Sequence, residues 1–260
     1  MLNKNNRLII AGAGPGDPEL ISVKALKEIR KADVILYDAL INNELLNFAK
    51  QGCHKIFVGK RANKHLIKQN EINKLCVKYA NNFKNVLRLK GGDPFIFGRG
   101  FEELEYAKLN GIDVEIIPGI SSATALAGLN GIPLTCRDVN HGFSVVTAVD
   151  KFGELTDELI NSAKSELTTV ILMGFSRLRE ISVLYENLGN GNVPAILISN
   201  GSLENEKKYI STIGQLYNET LGKKIETPAI IIVGKVVTLY KSLTNELQNE
   251  YTISNISKAI

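Results

Sequence analysis

Short runs of β-branched residues alternate along the chain with longer segments of helical period, and this alternation restricts the possible folds most. In the first half, strands are predicted over residues 8–11, 34–37, 55–58, 86–89 and 114–117. Helices are predicted between them over residues 20–29, 44–50, 71–80 and 102–109. This order is typical of a mostly parallel sheet with helices on both faces.

The rhythm breaks around residues 131–139, where Pro133 lies in a stretch without helical period. Beyond it, strands are predicted over residues 144–147, 170–173, 195–199, 207–212 and 229–233, with helices over 178–187 and 215–221. We therefore predict an α/β fold of two lobes, residues 1–135 and 136–245, followed by a polar tail over 246–260.

Composition excludes several classes of protein. A chain of 260 residues with 44% hydrophobic and 22% charged residues is neither disordered nor fibrous, and it buries a core without a disulfide or metal. It has no apolar run long enough to span a membrane and no signal-peptide core. Cys53, Cys76 and Cys136 show no CxxC spacing, so we expect a reducing, cytoplasmic environment.

Four glycine-rich loops, over residues 12–18, 59–61, 91–100 and 118–122, follow predicted strand ends. The carboxyl ends of parallel strands share one edge of the sheet, so we expect these four loops to meet in a single crevice. Any one of them alone is more simply explained as an ordinary turn. The first loop does not suit a pyrophosphate, because Pro15 and Pro18 lack N–H donors and Asp17 adds negative charge.

Residues 88–100 carry the most informative pattern, a strand followed by two glycines, an acid and two aromatic residues. Asp93 is placed to accept hydrogen bonds from ribose or amine groups, with turn capping as the alternative. Ile96 and Phe97 are placed to line a binding site for a flat ring. Asp38, at the end of another strand, is either a catalytic or binding acid or a helix N-cap.

Basic residues gather near these loops, and they suit a substrate with several carboxylates, with an ordinary solvated face as the alternative. They are Lys60, Arg61, Lys64, Lys90, Arg99 and Arg137. The histidines lack the spacing of a zinc site, so no metal is expected. Cys136 lies near His141, but no orienting acid or oxyanion motif accompanies it as a nucleophile would require.

Six segments together resemble the uroporphyrinogen-III C-methyltransferases of the tetrapyrrole methylase family. They are residues 12–18, 58–61, 88–100, 118–123, 131–135 and 228–234, in order over nearly the whole chain. The string Leu-Lys-Gly-Gly-Asp-Pro-Phe-Ile-Phe-Gly-Arg-Gly over residues 89–100 is the most specific.

The resemblance implies two α/β lobes with the active site in the cleft between them, S-adenosylmethionine as methyl donor, and a homodimer. It places the donor contacts on Pro15, Gly91, Gly92, Asp93, Ile96, Ser121, Ser122, Met173, Gly201 and Ala229. It implies catalytic roles for Asp38, Lys60 and Arg99, and contacts to the tetrapyrrole for Arg61, Glu103 and Arg137.

The activity that it implies is methylation of uroporphyrinogen III at C2 and C7, giving precorrin-2 through precorrin-1 on the way to sirohaem or cobalamin. S-adenosylhomocysteine is then the second product, and neither nucleic acid nor a membrane is expected as a partner.

The chain departs from the family pattern on the substrate side. Cys136 stands where histidine is common, Ala148 and Val149 replace Gly-His, Phe101 replaces glycine, and Ala39 replaces arginine. Two alternatives therefore stay open: a methyltransferase of a later corrin intermediate or of RNA, and a non-enzymatic sensor of a tetrapyrrole or the methyl donor.

Overall fold

The computed structural model describes residues 7–59 and 68–243, which form two five-stranded sheets. The first contains β1 (Arg7–Gly12), β2 (Val34–Tyr37), β3 (His54–Phe57), β4 (Asn85–Lys90) and β5 (Asp113–Ile117). The second contains β6 (Phe143–Thr147), β7 (Thr168–Leu172), β8 (Pro194–Ser199), β9 (Lys207–Thr212) and β10 (Ala229–Val233).

Eight α-helices accompany these strands in the described part of the chain. They are α1 (Val23–Lys31), α2 (Gln69–Asn82), α3 (Gly100–Leu109), α4 (Ser122–Leu129), α5 (Asp157–Ala163), α6 (Leu178–Asn187), α7 (Ile213–Thr220) and α8 (Val237–Leu243). Within the described residues, none of the helices combines the length and the apolar character that a membrane crossing requires.

The first sheet has the strand order β3-β2-β4-β1-β5, and its neighbouring strands are parallel, as predicted. Successive side chains of a strand point to opposite faces. Ile9 and Ala11 accordingly pack with α1 and a 3₁₀ helix, whereas Leu8 and Ile10 pack with α2 and α3. Both faces are therefore covered by helices.

The second sheet differs from the first, because most of its strand pairs are antiparallel. Its order is β6-β7-β10-β8-β9, and only the β6–β7 pairing is parallel among the described strands. No helix separates β8 from β9, and a short connection of this kind reverses the chain direction. β10 runs antiparallel to both β7 and β8, a direction that local sequence does not encode.

The chain divides into two compact units, one ending at Ser122 and the other beginning at Ala123. This division lies before the boundary near residue 135 that the strand rhythm suggests. Ala123 and Leu126 of α4 belong to one buried cluster with Val170 and Ile196, so most of α4 packs against the second sheet. The predicted tail over 246–260 lies outside the described residues.

Several helices differ from their predictions. The one predicted over 20–29 begins at Val23, because the Ser22 hydroxyl caps it and Pro18–Leu20 forms a separate 3₁₀ helix. Residues Asn43–Phe48 also form a 3₁₀ helix. The helical pattern did not predict α4, α5 and α8, which have seven or eight residues each and too few turns to show a period.

The carboxyl edge of the first sheet is tightly packed around Gly12, where β1 ends. A Cβ atom on Gly12 would lie 2.4 Å from the carbonyl oxygen of Gly92 and 2.5 Å from Cα of Gly119. Backbone atoms cannot swing away as side-chain ends do. The loops after β1, β4 and β5 therefore require glycine at this point.

We predict that Gly12→Ala lowers the free energy of unfolding by roughly 1–3 kcal/mol, because the added methyl group overpacks a rigid contact. Equilibrium urea unfolding measures the change. Gly128→Ala is the matched control, since a Cβ there meets nothing within 4 Å and alanine favours the helix that contains it. Equal unfolding midpoints for the two variants would contradict the prediction.

Candidate active site

The glycine-rich loops of the first unit converge as predicted. The N–H of Gly92 donates to the carbonyl of Gly14 at 2.7 Å, and the N–H of Gly14 donates to the carbonyl of Gly92 at 3.3 Å. These two bonds join the loop that contains Pro15 to the loop after β4. Gly92 has a φ of 64°, and apart from its chain neighbours no described residue has an atom within 4 Å of where its Cβ would be. Open space therefore lies beside this backbone.

Asp93 ties two of these loops together. Its Oδ2 accepts the backbone N–H of Gly119 at 3.0 Å, and its Oδ1 accepts that of Phe95 at 2.7 Å. The second bond is the turn-capping arrangement considered as the alternative for this residue. Asp93 thus fixes the loop after β4 against the segment that leads to Ser121 and Ser122.

The remaining loop also reaches this edge. A Cβ on Gly59 would lie 2.4 Å from the backbone nitrogen of Ala39, and one on Gly91 would lie 2.7 Å from Cβ of Leu40. The turn after Asp38 therefore lies between the loops that contain Gly59 and Gly91. The predicted site residues Lys60 and Arg61 follow Gly59 directly but lie outside the described residues, as does Lys64.

The loop from Phe95 to Arg99 presents apolar side chains to solvent. Phe95, Ile96 and Phe97 are each between 44% and 47% exposed, which is unusual for such large apolar residues close together. Phe97 and Arg99 have positive φ values of 51° and 59°, a conformation that side chains disfavour and that concentrates at functional sites.

Arg99 forms a two-point ion pair with Glu102 on the first turn of α3. Both nitrogen–oxygen distances, Nε to Oε1 and Nη2 to Oε2, are 2.7 Å. These hydrogen bonds lower the pKa of Glu102 and raise that of Arg99. Both side chains are about half exposed, so the guanidinium also faces solvent.

Charged side chains are buried behind this edge, on the face of the sheet covered by α2 and α3. Arg88 and Lys90 point to this face because they alternate along β4 with Leu87 and Leu89, which pack on the other face. The two cations are 1% and 4% exposed, and Glu103 of α3 is 1% exposed. Burial of charges at this level requires close partners.

Asp38 is one of these partners. Its Oδ1 accepts a hydrogen bond from Arg88 Nη2 at 2.6 Å, and its Oδ2 lies 3.9 Å from Lys90 Nζ. The N-cap of the following 3₁₀ helix is Asn42 instead, so the capping alternative for Asp38 is wrong. With its side chain 25% exposed, the carboxylate borders on solvent while it contacts buried cations.

Glu103 is the other partner of the buried cations. Its buried position does not suit the contact to the tetrapyrrole that the resemblance implies. Its Oε1 accepts hydrogen bonds from Lys90 Nζ at 2.8 Å, Gln69 Nε2 at 3.0 Å and Arg88 Nε at 3.2 Å. Its side chain is fully buried, so Glu103 acts in this structure on Arg88 and Lys90.

Electrostatics favour the ionised forms of Glu103 and Arg88. Burial alone would raise the pKa of Glu103, but the nearby charges of Arg88 and Lys90 outweigh it and hold that pKa below its ordinary value. Burial likewise opposes the charge of Arg88, yet Glu103 and Asp38 raise its pKa.

Sequence reasoning did not single out Arg88 as a site residue, although the alternation of Arg88 and Lys90 with apolar neighbours in a predicted strand was a usable signal. A charged residue in such a position needs a buried partner.

In the second unit, the predicted donor contacts gather at one sheet edge. Met173 directly follows β7, Gly201 is the second residue after β8, and Ala229 begins β10. Because β10 is antiparallel to both neighbours, its beginning lies beside their ends, with Ala229 opposite Ser199 and Ile230 opposite Leu172. Met173 and Asn200 both have positive φ values at this edge.

Arg137 lies elsewhere in the second unit, in an exposed turn closed by Asn140. The Asn140 side chain accepts the N–H of Cys136 at 2.9 Å and donates to Thr168 Oγ1 at 2.9 Å. Thr168 begins β7, so this turn is anchored at the edge opposite to Met173.

The described residues contain no group of three or more potential metal ligands of the His, Cys, Asp and Glu types. At the carboxyl edge of its sheet, the first unit offers a partly exposed carboxylate held against cations, exposed apolar side chains and open backbone. Such an arrangement suits the binding of a flat, anionic molecule and the movement of a proton.

Comparison with known proteins supports this interpretation. The family of Tetrapyrrole (Corrin/Porphyrin) Methylases matches residues 7–217. The chain is 42% identical to a uroporphyrinogen-III C-methyltransferase of Bacillus subtilis, over 98% of this chain and 99% of that protein. It is 40% identical to a siroheme synthase of Actinobacillus pleuropneumoniae, over 93% of this chain and 50% of that protein.

A solved structure also matches closely. The uroporphyrin-III C-methyl transferase of Thermus thermophilus, complexed with S-adenyl homocysteine, superposes with a TM-score of 0.78 at 35% identity, over 90% of this chain and 99% of that one. The order of motifs, the glycine contacts and these full-length similarities agree, and the chain belongs to the tetrapyrrole methylase family.

Proposed function

We propose that this chain is a uroporphyrinogen-III C-methyltransferase that uses S-adenosylmethionine to methylate ring carbons C2 and C7, giving precorrin-2 through precorrin-1. The observation that carries the proposal is the 42% identity to an enzyme of that name over nearly the full length of both proteins. The product precedes sirohaem, in keeping with the similarity to siroheme synthase.

The geometry of the first unit fits the methyl donor. Open space lies beside Gly92, and Asp93 holds the surrounding loops in place through Gly119 and Phe95. The donor contacts that we propose are those on the loops of the first unit and on the common edge of the second sheet. They are Pro15, Gly91, Gly92, Asp93, Ile96, Ser121, Ser122, Met173, Gly201 and Ala229.

S-adenosylmethionine, when bound, supplies a methyl carbon activated by a positively charged sulfur, so that the C–S bond breaks as a bond to a pyrrole carbon forms. The task of the chain is then to align the two molecules. In well-oriented reactions such alignment lowers the activation barrier by up to about 7–11 kcal/mol. The exposed side chains of Phe95, Ile96 and Phe97 offer apolar contacts for that purpose.

The methylated ring must afterwards lose a proton. We propose that Asp38 accepts it, with Lys60 and Arg99 as further catalytic residues. Asp38 is accessible, and its orientation is fixed by a 2.6 Å hydrogen bond from Arg88. Arg61 and Arg137 offer cations for the substrate carboxylates. The proposal includes a homodimer in the cytoplasm that has neither nucleic acid nor a membrane as partner.

We predict that the protein, incubated anaerobically with fresh uroporphyrinogen III and S-adenosylmethionine, forms a tetrapyrrole with two added methyl groups. Mass spectrometry of the product and quantification of S-adenosylhomocysteine measure the reaction. Binding of the donor without a methylated tetrapyrrole would contradict the proposal and favour a later corrin substrate, RNA or a sensor. Reactions without the protein or without the donor are the controls.

We predict that Asp93→Ala weakens the binding of S-adenosylmethionine about 10-fold or more, because two backbone N–H groups lose their charged acceptor and the loops separate. Isothermal titration calorimetry measures the dissociation constant. Asp113→Ala is the control, since Asp113 is exposed at the opposite end of a strand of the same sheet. An unchanged dissociation constant would refute the role of Asp93.

We predict that Arg137→Ala raises the KM for uroporphyrinogen III about 10- to 100-fold while donor affinity stays constant, because a charged hydrogen bond to the substrate is lost. Steady-state kinetics and donor titration separate the two effects. Arg179→Ala, at an exposed arginine of α6, is the matched control. Equal losses of both affinities would show that Arg137 supports the fold and not the substrate.

A further inference from the structure

Among the described residues, only one of the two carboxylate oxygens of Glu103 accepts hydrogen bonds. Its Oε1 accepts three hydrogen bonds, from Gln69, Arg88 and Lys90. Its Oε2 is equally buried, yet no hydrogen bond reaches it from the residues that the structure describes. A buried carboxylate oxygen without a partner is costly, and apolar residues often replace buried ion pairs without loss of stability. Pairing with the two cations stabilises the cluster, but it does not by itself account for a charged group whose second oxygen is buried without a described partner.

The charges of the cluster suggest a different account. Arg88 and Lys90 are two buried cations, and both lie close to Asp38, at 2.6 Å and 3.9 Å. Glu103 contacts the same two cations, at 3.1 Å and 2.8 Å. With Glu103 ionised, two positive charges face two negative ones. Without it, both cations would act on Asp38 alone.

We propose that Glu103 is a positioning residue for proton transfer, which orients Arg88 and Lys90 through Oε1 and offsets their charge so that Asp38 keeps enough basicity to accept the ring proton. The inference rests on the proposed role of Asp38 and adds a second carboxylate that never touches the substrate. Gln69 completes the arrangement, because its side chain donates to Glu103 from α2.

The other described groups around the cluster do not titrate in the acidic range in a way that would obscure this effect. Burial raises the pKa of the Cys76 thiol to about 12, so it stays neutral. Gln69 and Asn73 carry no charge, and the exposed Arg99 and Glu102 pair with each other. Among the described residues, the groups that interact with Glu103 or Asp38 are Arg88, Lys90, Gln69, Cys76 and Arg99.

The direct test is Glu103→Gln, which keeps the shape and the Oε1 acceptor but removes the charge. Asp38 then faces both cations without the offsetting negative charge of Glu103, which makes it a poorer proton acceptor. A weaker base accepts the ring proton more slowly. We expect kcat to fall about 10-fold or more and the acid limb of the pH profile of kcat/KM to move to lower pH. The KM for S-adenosylmethionine stays within about twofold of wild type.

A second variant gives the opposite sign and keeps the proposal falsifiable if Glu103→Gln folds poorly. Lys90→Met removes one cation and keeps a side chain of similar length, so Asp38 faces less positive charge and the acid limb moves to higher pH. The double variant Glu103→Gln/Lys90→Met restores the balance and returns the limb toward its wild-type position. The substrate carboxylates titrate identically in every assay, so differences between variants belong to the protein.

Glu105→Gln is the matched control, since Glu105 is exposed on the same helix, and its profile should follow wild type. A loss of activity in Glu103→Gln that is equal at every pH, with no shift of the limb, overturns the inference and leaves Glu103 a structural residue. Limb shifts of the same sign in Glu103→Gln and Lys90→Met also overturn it.

Asp38→Asn, measured beside these variants, separates the inference from the proposed role of Asp38. If Asp38→Asn keeps the wild-type rate and acid limb, Asp38 is not the proton acceptor and both proposals fail. If Asp38→Asn is inactive while the limb of Glu103→Gln does not move, only the inference about Glu103 fails.

Discussion

The close approach of three backbones at Gly12, Gly92 and Gly119 is the constraint on which the first unit depends. The contact distances leave no space for a Cβ atom at Gly12, so the loops after β1, β4 and β5 meet as bare backbone. Asp93 then locks two of these loops through both of its carboxylate oxygens. Loops held in this way present their remaining groups in a fixed arrangement, which is what alignment of a donor and an acceptor requires.

A second layer lies directly behind these loops and consists of charge. Arg88 and Lys90 extend from β4 into an interior that would reject them without Asp38 and Glu103. The cluster links the buried face of the sheet to a carboxylate that borders on solvent. The activated methyl group of the donor needs no metal for its transfer. In the function that we propose, the chain contributes alignment and a place for the proton, and we assign the first to the backbone contact and the second to the charge cluster.

Much of the fold could be predicted from local pattern. The strands of both sheets were placed within a few residues, because short β-branched, apolar runs between helical segments are typical of strands that are buried on both faces. The direction of β10 could not be predicted from the sequence, because an antiparallel strand that is buried on both faces has the same apolar composition as a parallel one. The predicted loops of the first unit met as expected. Glu103 was assigned to the substrate from the family resemblance alone, and the sequence does not show that its side chain is buried.

The sequence by itself determined the alternation of strands and helices, the glycine loops at strand ends, and the string over residues 89–100 that indicates the family. These features depend on residue type and spacing along the chain, which is why they are visible before folding. Only the tertiary structure decided which charges are partners. Asp38, Gln69, Arg88 and Glu103 are far apart in sequence, and they meet because strand order and helix packing bring β2, β4, α2 and α3 together. Local sequence propensity carries no information about such long-range contacts.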